Sequence, residues 1–306
     1  MALRPDLVGA TGRPVEHAWT HDDTMLYAVA VGAGQDDPLE DLAFTTENTE
    51  GVAPQVLPTF ANIITQDARV DFGDYDPALL VHAEQAFRLH APLPLAGRVT
   101  VTPKVTEVLD KGRAALVTTE ATAVDADTGA PLVTTVRRLY LGGVGGFGGP
   151  RGTSTPWEAP DRAPDHVLEA RTSRGQALVY RLTGDRNPLH ADPAFAARGG
   201  FPAPILHGMC TYGFTGRLLL HALCDGDARR FRAMDGRFTK HPHAARRRRR
   251  DRPRPGRTGR RQDWLAALPP VGVTAHHEPC APWPSTAPGA ESLACRYTGH
   301  PPIVTC

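Results

Sequence analysis

An acid and an imidazole lie close together in the second half of the chain. Asp185 and His190 belong to the segment GDRNPLHADP, which begins at Gly184. A carboxylate and an imidazole in one place can take a proton from a water molecule and supply one nearby, because their pKa values can be tuned toward neutral pH. The pair therefore predicts acid–base chemistry on a single water.

The residues around this pair are suited to positioning it. Gly184 permits an unusual backbone angle, and Asn187 can form a hydrogen bond within the turn. Downstream, the apolar segment LHGMCTYGFTGRLLLHAL predicts a long buried helix that starts near His207. A backbone N–H at Gly208, where that helix opens, is a natural donor to a developing negative charge.

The first half of the chain repeats these landmarks. GQDDPLEDLAF corresponds to GDRNPLHADPAF at an offset of 150, and APQVLPTF lies opposite APILHGM. Such a shared order predicts a tandem duplication. Asp-x-Asn-Pro alone is a common turn, and a single His after a turn is more often a surface residue. In the first half, however, Gln35 and Glu40 replace Asp185 and His190, so we expect one active site, in the second half.

Strands should follow the turn and helix of the first half. The first-half helix is predicted over VLPTFANIITQ. The segments HAEQAFRLH, RVTVTPKVTEVL, AALVTTEATAV and PLVTTVRRLYL then alternate or are rich in β-branched residues, as strands are. An antiparallel sheet wrapped around one central helix satisfies this order. We therefore predict an α+β fold of two tandem hot-dog domains, each with a long central helix.

Composition predicts a soluble cytoplasmic protein. The chain is 41% hydrophobic and 22% charged, and it contains no apolar run long enough for a membrane span. The N-terminus lacks a secretory h-region, and the five Cys lack metal-ligand or CxxC spacing. The stretch GGVGGFGG contains a Gly-x-Gly-x-x-Gly pattern, but no helix is predicted after it, so a linker is favoured over a dinucleotide site.

Two segments resemble a known family. YRLTGDRNPLHADPAFA and FPAPILHGMCTYGF resemble the signature of the R-specific, type-2 enoyl-CoA hydratases of the MaoC-like dehydratase group. LYAVAVGAGQDDPL, VLPTF, HAEQ and VLDKG resemble the non-catalytic N-terminal hot-dog of the two-domain members. The resemblance extends over roughly residues 15 to 240.

The resemblance implies a function and a set of residues. The reaction would interconvert a trans-2-enoyl-CoA and a (3R)-3-hydroxyacyl-CoA, with no metal or redox cofactor. The partner would be an acyl-CoA thioester and, as a candidate, a second copy in a homodimer, but neither nucleic acid nor membrane. The implied catalytic residues are Asp185, Asn187, His190 and Gly208. The implied substrate-binding residues are His82, Ala83, Lys111 and Phe238, with Glu47 in support.

The chain departs from the family near Lys240. Residues 241–306 contain 11 Arg, no Lys, only 4 acidic residues and 11 of the 29 Pro. No strands are predicted there to complete the second sheet. We hypothesise a frameshift, with a basic disordered extension as the alternative. The expected domains are residues 1–142 (first hot-dog), 143–165 (linker), 166–240 (second hot-dog, incomplete) and 241–306 (tail).

Two classes of function remain open at this point. The first is the lyase, with an acyl-carrier-protein thioester as a variant substrate. The second is a non-catalytic acyl-CoA-binding or scaffold subunit whose active domain is damaged. The retained catalytic residues favour the lyase, whereas the altered tail favours the scaffold.

Overall fold

One antiparallel sheet spans both halves of the chain. The structure is a computed structural model that describes residues 2–4, 6–153, 166–238 and 271–275. Its main sheet has six strands in the order β2-β5-β6-β7-β4-β9. These strands are β2 (Val15–Trp19), β4 (Leu80–Leu89), β5 (Gly97–Asp110), β6 (Ala114–Asp125), β7 (Pro131–Gly142) and β9 (Ala233–Arg237).

The four long strands confirm the sequence prediction to within about two residues at each end. β5, β6 and β7 form consecutive antiparallel pairs, and β4 pairs with β7. β9 comes from the second half and pairs with β4 of the first, so that Glu84 lies opposite Arg237. The two halves therefore share a sheet at β4.

The remaining elements are short, apart from two helices. β1 (Ala2–Leu3) pairs with β3 (Gly73–Asp74), and β8 (His166–Ala170) pairs with β10 (Val271–Ala275). The helices are α1 (His21–Ala30), α2 (Leu42–Thr45), α3 (Ala61–Ile64), α4 (Gln176–Tyr180), α5 (Pro193–Arg198) and α6 (Gly208–Cys224). Among the described residues, no helix is both long and apolar enough to cross a membrane.

Helix α6 is the predicted central helix, and it is buried on nearly every side. Tyr212 and Phe214 are fully buried, and the Tyr212 hydroxyl donates to the Met234 carbonyl at 2.7 Å. A Cβ on Gly216 would lie 2.3 Å from Thr59, and one on Gly213 would lie 2.4 Å from Val31. Small residues therefore let the first half pack directly against this helix, which explains its uniform burial.

The first-half helix is much shorter than predicted. A 3₁₀ turn over Pro58–Phe60 leads into α3, which ends after a single turn. The Arg137 guanidinium donates to the carbonyls of Thr65 and Gln66, directly after α3. These contacts satisfy carbonyls that have no partner within the helix, because α3 does not continue past Ile64.

The glycine-rich stretch after β7 packs against its own domain. The Asp110 carboxylate accepts hydrogen bonds from the amides of Gly146 and Gly148. A Cβ on Gly145 would lie 2.3 Å from the Ala114 nitrogen. The glycines thus allow the chain to pass close to β6, which supports the prediction of a connecting segment over a dinucleotide site.

Most of the predicted tail lies outside the described residues. The exception is β10, which runs antiparallel to β8 with Val271 opposite Ala170. The sequence analysis expected no strand after Lys240. The short segment VGVTA nevertheless alternates small and β-branched residues, which suits a strand.

Candidate active site

The segment from Asp185 to His190 forms a tight loop. The Asn187 amide donates to the Asp185 carboxylate at 3.1 Å, and the Leu189 amide donates to the Asn187 side-chain oxygen at 3.0 Å. A 3₁₀ turn over Pro188–His190 follows. These bonds fix the direction of the acid and the imidazole relative to each other, as the Asx turn predicts.

Gly184, which begins this loop, is required by its surroundings. Its φ is +122°, a value that favours glycine, and a Cβ there would lie 2.2 Å from the Gln66 side chain. The Gln66 amide donates to the Thr183 carbonyl at 2.8 Å. The first half therefore supports the loop that carries the candidate acid–base pair.

The protonation of His190 follows from its contacts. Its Nδ1 lies 2.8 Å from the Ile205 carbonyl oxygen, which can only accept, so Nδ1 carries the hydrogen. Burial lowers the pKa of His190, against smaller opposing effects of that hydrogen bond and of Asp185. The ring is therefore neutral at pH 7, and its Nε2 is an available proton acceptor.

A second imidazole, that of His207, lies against the first. The two rings stack at 3.7 Å, and Nε2 of His207 donates to the Asp185 carbonyl at 3.2 Å. His207 is 1% exposed, and its Nδ1 has no hydrogen-bond partner among the described residues. Burial and the neighbouring His190 lower the pKa of His207. Sequence analysis selected only the following Gly208, although His207 is part of the same His-Gly pair.

These three side chains form one compact cluster. Asp185, His190 and His207 each offer a donor atom, and the three atoms lie within 4.8 Å of one another. Two neutral imidazoles and a carboxylate can hold and deprotonate a water, and the same donor types can ligate a metal ion. Sequence analysis expected no metal ligands.

The amino end of α6 meets this cluster. The amides of Cys210 and Thr211 donate to the His207 carbonyl, whereas those of Gly208 and Met209 precede the first intrahelical bond. A Cβ at Gly208 would lie 3.4 Å from the Phe238 ring. The arrangement suits an amide donor for a thioester oxygen that gains negative charge.

A cavity of about 580 Å³ opens beside the cluster. It is lined by both halves of the chain: Asp185, Asn187 and Met209 from the second, and His82, Gln85 and Arg137 from the first. Burial lowers the pKa of Arg137 to about 10, and no carboxylate lies within 4.0 Å of its guanidinium among the described residues. Sequence analysis missed Arg137, because it lies within an ordinary strand pattern.

The predicted substrate contacts divide into two groups. His82, Ala83 and Phe238 lie together: the Phe238 amide donates to the Ala83 carbonyl at 2.8 Å, and the rings of His82 and Phe238 meet edge to face at 5.5 Å. The pairing of β4 with β9 produces this grouping. Burial lowers the pKa of His82 to about 4. Lys111 and Glu47 are exposed and do not line the cavity, and Lys111 donates to the Arg151 carbonyl.

The buried imidazole of His207 gives the first testable prediction. Below about pH 6.5, His207 binds a proton in the unfolded chain, whereas in the folded chain it stays neutral down to its lowered pKa of about 4. The free energy of unfolding should therefore fall as pH drops through this range, by up to about 1.4 kcal/mol per pH unit. Urea unfolding at several pH values gives the free energy of unfolding at each pH. This free energy should change less steeply with pH in His207→Gln than in the wild-type chain. The same pH dependence in His207→Gln and in the wild-type chain would contradict this prediction. His166→Gln, which lies outside the cluster, is the control.

The comparisons with known proteins agree with this geometry. Residues 17–143 match the MFE-2 hydratase 2 N-terminal domain, and residues 156–241 match the MaoC like domain. The 3-hydroxyacyl-thioester dehydratase Y of Mycobacterium tuberculosis is 47% identical over 247 residues, which is 78% of this chain and 83% of that protein. The chain belongs to the MaoC-like family of two-domain hydratases.

Further relatives support this assignment. The enoyl-CoA hydratase ChsH3 of Mycobacterium tuberculosis is 44% identical over 240 residues, covering 76% of this chain and 82% of that protein. A MaoC-like dehydratase from Phytophthora capsici superposes with a TM-score of 0.65 at 29% identity, over 76% of this chain and 82% of that one. The predicted family, the hot-dog fold and the hydro-lyase class are therefore confirmed.

Proposed function

We propose that this hydratase interconverts trans-2-enoyl-CoA and (3R)-3-hydroxyacyl-CoA at the loop of Asp185 and His190. The observation that carries the proposal is the cluster of Asp185, His190 and His207 within 4.8 Å, beside a cavity of about 580 Å³ that Asp185 lines. Relatives named as enoyl-CoA hydratases and a thioester dehydratase supply the substrate class.

The tautomer of His190 suggests how the water is activated. Its Nε2 accepts a proton from the water while the water oxygen bonds to C3 of the enoyl thioester. The same imidazole then delivers that proton to C2, so that one water is added in full. The Asp185 carboxylate accepts a hydrogen bond from the other O–H of the water and so orients it, and that hydrogen stays on the oxygen that becomes the C3 hydroxyl. The amide of Gly208 stabilises the thioester oxygen as C2 becomes enolate-like.

The first half contributes the binding side of the site. His82 lines the cavity, and Ala83 and Phe238 lie beside it, which supports their predicted contact with the thioester. The exposed positions of Lys111 and Glu47 place them outside this cavity. If Lys111 contacts the substrate, the contacted part of the substrate must project out of the cavity.

A direct assay tests the proposal. The purified chain is mixed with crotonyl-CoA or a longer enoyl-CoA, and the ultraviolet absorbance of the conjugated thioester is followed. We expect saturable loss of absorbance and formation of the hydroxyacyl product. Binding of the thioester without turnover would instead support the scaffold alternative. Parallel assays with the acyl-carrier-protein thioester determine which carrier is preferred.

The duplicated loop in the first half should be catalytically silent. Gln35 and Glu40 are exposed and outside the cavity, and the Gln35 side-chain amide donates to the Arg171 carbonyl at 2.7 Å. Gln35→Ala and Glu40→Ala should therefore leave kcat within about twofold of the wild-type value, as surface substitutions usually do. A loss of turnover as large as that expected for His190→Asn, about 10² to 10⁴, would contradict the one-site interpretation.

A further inference from the structure

We propose that Asp185, His190 and His207 form a binding site for a divalent transition-metal ion, with Zn²⁺ preferred, and that the bound ion inhibits hydration. Binding itself is independent of the proposed function, whereas inhibition rests on it. The three donor atoms already lie within 4.8 Å of one another.

Each imidazole is prepared as a metal ligand. Nδ1 of His190 donates to the Ile205 carbonyl, and Nε2 of His207 donates to the Asp185 carbonyl. Each ring therefore presents its other nitrogen as a lone pair. Histidines that ligate metals almost always have their second N–H fixed in this way, because the bond sets both the tautomer and the ring orientation.

The donor set and spacing favour zinc. Two imidazoles and one carboxylate, with water as a fourth ligand, are typical of open zinc sites, and imidazole disfavours Mg²⁺ and Ca²⁺. Zinc bonds of about 2.0–2.2 Å place tetrahedral ligands roughly 3.4 Å apart. The three donors would therefore need to move closer together by about 1 Å when the ion binds.

The buried nitrogen of His207 is the second, independent observation. His207 is 1% exposed, and its Nδ1 has no hydrogen-bond partner among the described residues. A buried acceptor without a partner is unfavourable, and it marks a place where an ion or a polar ligand can bind. Because Asp185 lines the cavity, an ion can enter by the route that the substrate would use.

Inhibition follows from the atoms that the metal would occupy. A cation on Nε2 of His190 removes the lone pair that takes the proton from water. A cation on the Asp185 carboxylate removes the group that orients the water. The enoyl thioester can still bind in the cavity but is not hydrated, so the inhibition should be noncompetitive, with a lower kcat and little change in KM.

The full chain, stripped of metal by a chelator, provides the test. Hydration of crotonyl-CoA is measured over a range of Zn²⁺ concentrations, and Co²⁺ binding is followed by its visible absorption spectrum. We expect noncompetitive inhibition by Zn²⁺, which lowers kcat, and the intense bands of tetrahedral Co²⁺. His207→Gln keeps a donor for the Asp185 carbonyl but lacks Nδ1, so its inhibition constant should rise at least tenfold. His166→Gln, outside the cluster, should behave as wild type.

Several results would overturn the proposal. One is an active stripped enzyme that Zn²⁺ does not inhibit and that gives no tetrahedral Co²⁺ spectrum. Another is equal inhibition of His207→Gln and wild type, since this would place the metal elsewhere. Activation by Zn²⁺ would contradict both the proposed inhibition and the proposed mechanism, in which His190 and Asp185 activate the water without a metal ion. If the stripped chain hydrates nothing, the proposed function fails, and the Co²⁺ spectra of wild type and His207→Gln still decide the metal site. If His207→Gln is too slow to assay, the same spectra decide.

Discussion

Asp185→Asn and His190→Asn should each lower kcat by a factor of about 10² to 10⁴, the usual effect of removing a positioned acid or base. Both substitutions preserve the loop. Asn at 185 still offers an oxygen to the Asn187 amide, and Asn at 190 can place a donor near the Ile205 carbonyl. The Kd of the thioester should change little, because the cavity remains intact.

Steady-state kinetics and thioester binding, measured on the same preparations, check this prediction. Gln35→Ala provides the matched control from the duplicated loop. Near-normal turnover in either variant would show that the substituted residue does not have its assigned role. A loss of binding and of folding, with no separate effect on kcat, would show a structural role instead.

Asp41→Ala should destabilise the fold by roughly 3–5 kcal/mol, the usual cost of breaking a buried ion pair from one side. The Asp41 side chain is 2% exposed and lies 3.0 Å from Arg217, which is 12% exposed. His221, also on α6, lies 2.6 Å from the other carboxylate oxygen. Without Asp41, the hydrogen bond to the Val31 carbonyl is the one that the Arg217 guanidinium keeps among the described residues. The pair joins the first half to the central helix of the second.

Urea unfolding at neutral pH measures this effect. Asp127→Ala is the control, because its ion pair with Arg98 is exposed and such pairs contribute only about 0–1 kcal/mol. Equal destabilisation by Asp41→Ala and Asp127→Ala would contradict a special contribution of the buried pair. The double substitution of Asp41→Ala with Arg217→Met should lower the free energy of unfolding less than Asp41→Ala alone, because the Arg217 charge is then not left unpaired.

The sequence predicted the long strands and helix α6 because their signals are local. Alternation over β5 and β6 and the apolar run of α6 depend on neighbouring residues alone. The short α3 could not be predicted in this way. The carbonyls that follow it accept hydrogen bonds from Arg137, which lies on a distant strand. Contacts between residues far apart in sequence leave no pattern in either segment.

The same distinction holds for the candidate site. The loop of Asp185 and His190 is a contiguous motif, so its residues could be selected from spacing. His207 joins them across 22 residues, through a ring contact and a bond to a carbonyl, and Asp41 is bound to α6 from the opposite half. Lys111 and Glu47 were implied by resemblance alone, and they lie away from the cavity.

We propose that the chain is divided into domains at residues 1–142 and 166–240 around a linker at 143–165. The two family matches cover residues 17–143 and 156–241, so the second match begins within the proposed linker. It ends where the Arg- and Pro-rich residues 241–306 begin. We propose a frameshift near codon 240 as the cause of this change in sequence. Resequencing the coding DNA tests it, and an unchanged reading frame would contradict it.

Hydration of crotonyl-CoA in ¹⁸O-labelled water tests the central claim most directly. The product is analysed by mass spectrometry for the label and by chiral chromatography for its configuration. We expect one ¹⁸O atom at C3, the (3R) configuration, and an initial rate of product formation about 10² to 10⁴ times lower with Asp185→Asn. The absence of product from the wild-type chain, or a (3S) product, would contradict it.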